Sequence, residues 1–118
     1  MRPIVLSTAL ALLASTPAFA HAHLDSSAPT ADAKLVEPPA EITLDFSEEI
    51  EPMFSAIEVE DDKGARVDKG DVHTAPDDAK RLVVSIDARA SGVYKVTWRV
   101  TSTDTHKSKG SFNFTVGK

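Results

Sequence analysis

The run Gly92-Val93-Tyr94-Lys95-Val96-Thr97-Trp98-Arg99-Val100 constrains the fold more than any other stretch of the chain. Its apolar residues Tyr94, Val96, Trp98 and Val100 alternate with Lys95, Thr97 and Arg99. A period of two sends one set to a core face and the other to water, which defines a half-buried β-strand. Shorter runs repeat the pattern: Ile42, Leu44 and Phe46; Ile57 and Val59; Leu82, Val84 and Ile86; Phe112, Phe114 and Val116. No window carries a convincing helical period. Leu24 to Ser27 reads as a short extended piece, and Ala31 to Pro39 as a connector whose Pro38-Pro39 pair argues against helix. Asp61-Asp62-Lys63-Gly64 is a turn signal. Val67 to Ala79 is a polar loop with room for one weak edge strand. About seven short strands with turns between them predict an all-β domain, an antiparallel sandwich with Greek-key topology anchored on Trp98.

The chain has 118 residues, no cysteine and a formal net charge of −5. Residues 1–20 read as a cleaved secretory signal. Arg2 is followed by an apolar run from Ile4 to Leu13, then Pro17, then the small-residue pattern Ala18-Phe19-Ala20. That run is roughly half of what a bilayer span requires, so an exported product without stable membrane insertion is expected. Cleavage after Ala20 leaves one domain, residues 21–118, with a net charge of −6 because Arg2 departs. A chain this acidic is poorly suited to nucleic acid. Without cysteine it relies on its apolar core, and thiolate metal sites are excluded.

The same cleavage makes His21 the first residue, and all four histidines, His21, His23, His73 and His106, remain. The free amine and the ring of a terminal histidine can grip one metal ion together, a chelate no internal histidine forms. Between the last two strong strands stands Asp104-Thr105-His106. If that segment is extended, residues i and i+2 project to one side, so the carboxylate and the imidazole would face a common point. Three nitrogens and one carboxylate oxygen suit Cu(II), which heads the divalent affinity order. Ser102 and Ser108 flank the pair, but no oxyanion hole can be inferred for a Ser-His-Asp hydrolase.

With these residues in view, the chain resembles the CopC-type periplasmic copper-resistance proteins. The opening His21-Ala22-His23-Leu24-Asp25-Ser26-Ser27-Ala28-Pro29 is similar to the family's histidine followed by L-x-S-S-x-P. Phe46-Ser47-Glu48 resembles its F-S-E segment, Gly92 to Arg99 its G-x-Y-x-V-x-W-R strand, and Ser102 to His106 with Gly110-Ser111 its S-x-D-T-H…G-S close. The resemblance covers nearly the whole mature domain. It implies an immunoglobulin-like β-sandwich or barrel holding one Cu(II) per chain through the amine and ring of His21 with Asp104 and His106. It implies that Glu48 hydrogen-bonds the terminal amine, that the protein works in the periplasm, and that an inner-membrane copper protein of the CopD type is its partner. A monomer is expected.

The chain departs from the family pattern in two places. Some members carry a methionine-rich loop that binds Cu(I). Here the middle of the chain holds His73 alone, and Met53 is the single methionine left after processing, so no second copper site is expected. His23, third from the new terminus, competes for the same amine through a peptide chelate of amine, two backbone amides and its own ring. Pairing of Leu24 into a sheet would hold that backbone extended and leave His23 a flanking group.

The expected role is a non-enzymatic Cu(II) buffer or carrier in copper homeostasis or resistance. One alternative is a mononuclear copper oxygenase of the polysaccharide monooxygenase type, which also uses an N-terminal histidine on a β-sandwich. Strand periodicity places Tyr94 and Trp98 in the core, however, leaving no evident flat aromatic surface for a glycan. The other is an exported interaction domain that binds no metal. Cleavage after Ala22 rather than Ala20 would favour it, by making His23 the terminus.

Overall fold

A computed structural model describes residues 22–117 of the protein. The expected signal segment and His21 lie outside the described residues. Eight strands follow in order: β1 (Leu24–Ala28), β2 (Lys34–Leu35), β3 (Glu41–Phe46), β4 (Ala56–Glu60), β5 (His73–Ala75), β6 (Asp78–Ser85), β7 (Gly92–Thr101) and β8 (Lys107–Val116). A single 3-10 turn, Pro52–Phe54, precedes β4. Among the described residues no helix is long and apolar enough to cross a membrane.

The strands form two four-stranded sheets, β1-β3-β6-β5 and β2-β8-β7-β4. The chain crosses between them repeatedly, and of the hydrogen-bonded neighbours only β5–β6 and β7–β8 are consecutive. This is the sandwich expected from the alternating runs. Ile42, Leu44, Phe46, Ile57, Val59, Leu82, Val84, Tyr94, Val96, Trp98, Val100, Phe114 and Val116 are all buried in one core. Phe46 meets Trp98 edge-on at 5.2 Å across the two layers, and Tyr94 stacks on its cross-strand neighbour Phe114 at 5.3 Å within the second sheet. The Tyr94 hydroxyl donates to the Ala90 carbonyl at 2.6 Å, which lets the phenol be buried without an unmet donor.

One element differs from the sequence expectation. The Ala31–Pro39 connector contains β2, which pairs parallel to β8 through Lys34–Thr115 and Leu35–Val116. Two residues are too few to display a period, so periodicity could not reveal it. The polar loop after Val67 does hold an edge strand, β5, which pairs with β6 through His73–Val83 and Thr74–Leu82. Val83 is buried although it stands outside the central core cluster, with Thr43 and His73 as its cross-strand neighbours.

Candidate metal centre

The D-x-H segment is a tight turn rather than an extended strand. β7 ends at Thr101 and β8 begins at Lys107, leaving residues 102–106 to reverse the chain. The Ser102 amide donates to the His106 carbonyl at 2.9 Å and the Thr105 amide to the Ser102 carbonyl at 2.8 Å. Thr105 sits at φ +73°, a left-handed conformation costly for a β-branched residue. Asp104 and His106 still face each other, with Asp104 Oδ1 3.4 Å from His106 Nδ1. The turn brings them together, not strand alternation. Donors about 2.0–2.2 Å from one ion at tetrahedral or square angles lie about 2.8–3.5 Å apart, so the pair has the spacing of two adjacent ligands.

Ser102 organises this turn. It is buried, its hydroxyl donates a short hydrogen bond to Asp104 Oδ1, and the His106 amide donates back to that hydroxyl at 3.2 Å. The hydrogen bond from Ser102, assisted by the nearby His106 ring, holds the Asp104 carboxyl below its ordinary pKa. The carboxylate is therefore ionised and aimed at neutral pH. The hydroxyl bonds the carboxylate and the His106 main chain, so the geometry of a Ser-His-Asp nucleophile is not formed.

The F-S-E segment and the N-terminal strand converge on the same end of the sandwich. The Thr103 amide donates to the Glu49 carbonyl at 2.9 Å, and Ile50 bridges Ser102. The Ser47 hydroxyl accepts the His23 amide at 2.8 Å while the Ser47 amide donates to the His23 carbonyl at 2.9 Å. On the other side the Ser108 hydroxyl donates to the Ala22 carbonyl at 2.8 Å, and Ala22 is buried in the core. Ala22 is thus fixed beside Ser108, two residues beyond His106. Leu24 pairs with Phe46 in β1–β3. The His23 amide, which a terminal peptide chelate would have to deprotonate, is committed to Ser47.

The expected ligands divide as follows. Asp104 and His106 are brought together, His23 is exposed on the flank, and Glu48 is half-buried in the segment that clamps β1. His21 lies outside the described residues, so its part in the site is not described. Among the described residues no group of three or more histidine, cysteine, aspartate or glutamate side chains forms a metal cage. His73 is an exposed edge-strand residue whose Nδ1 contacts the Asp71 carbonyl at 2.7 Å. Met53 is exposed on the rim. Sequence reasoning missed the positioning roles of Ser47, Ser102 and Ser108. The only hint was that each falls within or next to a motif.

A β-sandwich whose first strand and last hairpin meet at a carboxylate–imidazole turn defines a class of small domain with its chemistry at one end. The CopC domain family model matches residues 24–117, and the chain belongs to the CopC family. It is 41% identical over 112 residues to copper resistance protein C of Xanthomonas campestris pv. juglandis, covering 90% of this chain and 87% of that one. Among solved structures it is similar to CopC from Methylosinus trichosporium OB3b, with a TM-score of 0.76 and 31% identity over 81% of this chain and 93% of that one. It is also similar to PcoC, a methionine-rich copper resistance protein from Escherichia coli, with a TM-score of 0.71 and 34% identity over 82% and 99% of the two chains. This chain has two methionines, Met1 and Met53.

Proposed function

We propose that this chain is an exported Cu(II)-binding protein of the periplasm, a buffer or carrier in copper homeostasis or resistance and not an enzyme. One Cu(II) is its cargo, held by the amine and ring of His21 with Asp104 and His106. Family membership supports copper as the metal. The observation that carries the ligand set is the anchoring of Ala22 by the Ser108 hydroxyl, two residues past His106. His21 precedes Ala22 directly, and consecutive Cα atoms are about 3.8 Å apart, so a cut after Ala20 delivers a free amine to that neighbourhood. Glu48, in the clamping segment, serves as an acceptor for that amine, and such acceptors orient ligands and tune the metal.

Engagement of the His23 amide by Ser47 supports the folded site over the terminal peptide chelate, which leaves His23 as a flanking group. Burial of Tyr94 and Trp98 tells against a glycan-binding oxygenase surface. An inner-membrane copper protein of the CopD type is the proposed partner, and the carrier works as a monomer. The deciding experiment is Cu(II) titration of the mature protein, with its N-terminal mass established and electron paramagnetic resonance as the readout. His106→Ala is expected to lose tight one-to-one binding while His23→Ala keeps it. The reverse result would make the terminal peptide the site and remove the D-x-H turn from the function.

A further inference from the structure

Four cations gather on the outer face of the second sheet, in a chain whose net charge is negative. The alternation that buries Tyr94, Val96, Trp98 and Val100 turns Lys95 and Arg99 outward on β7, and β8 exposes Lys107 and Lys109 beside them. The register sets Arg99 directly opposite Lys109. Like charges directly opposite in an antiparallel pair disfavour it. Glu58 approaches Arg99 at 3.4 Å but is shared with Arg66 at 3.8 Å. Among the described residues no ion pair engages Lys95, Lys107 or Lys109.

An apolar wall stands beside these cations. In the Pro52–Phe54 turn Met53 is 83% and Phe54 69% exposed. The Thr101 hydroxyl donates to the Phe54 carbonyl at 3.2 Å and the Glu51 amide to the Thr101 carbonyl at 2.9 Å, so the turn is held against the end of β7. Phe54, Arg99, Lys107 and Lys109 line a cleft of about 340 Å³, and a second depression continues past Lys95 and Thr97. An exposed aromatic beside an arginine is a pairing enriched at the centre of protein interfaces.

We propose that this cleft docks an acidic segment of a partner protein that also carries a bulky apolar side chain. The cations complement the acidic groups, and Phe54 covers the apolar side chain. A concave cleft suits an inserted side chain better than a flat bilayer. The net negative charge of two whole copies opposes self-docking at long range, whereas a short segment meets chiefly the local cations within a Debye length. Lys107 directly follows His106, so a docked partner lies beside the D-x-H turn. The test does not depend on copper, so its failure is distinct from failure of the copper reading.

The metal-free protein, labelled with nitrogen-15, is titrated with a synthetic twelve-residue peptide of Glu and Asp carrying one Trp and two Leu. Shifts confined to Phe54, Arg99, Lys107 and Lys109 are expected. Affinity is expected to fall about tenfold or more in the Lys107→Glu/Lys109→Glu variant and on raising salt from about 50 to 300 mM. Phe54→Ala and a peptide lacking Trp and Leu are each expected to weaken binding about threefold or more. Thermal melting of both variants shows that they remain folded. No binding, or shifts centred elsewhere, overturns the proposal. So does binding to phosphatidylglycerol vesicles in place of the peptide, which assigns the cleft to a membrane, or a concentration-dependent dimer lost in the double variant, which assigns it to a second copy.

Discussion

At the scale of single residues, Ser102 and Thr105 decide how well the turn presents its two donors. Ser102 is buried, so Ser102→Ala costs about 1 kcal/mol for the lost hydrogen bonds and frees the Asp104 carboxylate to rotate. Loss of a group that orients a ligand typically lowers metal affinity about 10–100-fold, and that range is expected for Cu(II), measured against a competing chelator. The sign of the pH effect follows from the same bond. It holds the Asp104 pKa down, so its removal raises that pKa and moves carboxylate protonation to higher pH. Thr105→Gly acts in the opposite sense. It relieves the left-handed strain of a β-branched residue, so melting temperature stays level or rises. Under the proposed ligand set, copper affinity is expected to fall nonetheless, because a more flexible turn must be ordered on binding. A variant that melted earlier and bound copper unchanged would show the strain to be irrelevant to the site.

Among the elements, the β7–β8 hairpin carries core, turn and cationic face at once. Gly110 faces Trp98 across it, and a Cβ there would lie 2.5 Å from the indole. Trp98 is buried and edge-packed on Phe46, so it has no room to withdraw. Gly110→Ala is expected to cost about 1–3 kcal/mol, read as a lowered urea midpoint at unchanged slope. Lys109→Glu, one residue away, does the reverse by turning the Arg99–Lys109 pairing attractive, and gains about 0.2–1 kcal/mol at low salt. This hairpin was also the most legible part of the sequence. Its apolar period of two shows from Tyr94 to Val100 and from Phe112 to Val116, enough to fix both strands and their buried face, whereas Lys107 to Gly110 extend β8 without any apolar pattern. β2 was not legible, because a two-residue parallel pairing has no pattern of its own. Asp104 and His106 could be picked out because D-x-H names its own chemistry. The serines that aim the site could not, since a hydroxyl's partner is set by tertiary contacts such as Ser108 to Ala22, 86 residues apart.

For the whole molecule, the decisive relation is between the chain's beginning and its last hairpin. The described residues contain no disulfide, and these segments are joined by core packing of Ala22 and by hydrogen bonds such as Ser108 to Ala22. A metal ion held jointly by His21 and by Asp104 and His106 would bind the folded state and not the unfolded one. At one hundred times its dissociation constant such a ligand adds about 2.7 kcal/mol of stability, several degrees in melting temperature for a domain of about 100 residues. The metal-dependent part of this has its own pH window, separable from the metal-free protein's. Arg81 holds the Asp45 carboxyl low, Ser85 the Asp71 carboxyl and Ser102 the Asp104 carboxyl. Folded pKa values lowered in this way give stability that is present above about pH 4 and is lost as pH falls through the folded values. Metal-free stability is therefore expected to change little between pH 7 and 5 on account of these groups. Copper binding must displace protons from an amine and from imidazoles, so the metal-dependent increment fades across that interval instead. Calorimetric melting with and without one equivalent of Cu(II) at pH 7, 6 and 5 is expected to show a shift that shrinks with acidity, is absent in His106→Ala and disappears on chelation. A shift that persisted undiminished at pH 5, or survived in His106→Ala, would place the metal away from this junction of the two chain segments.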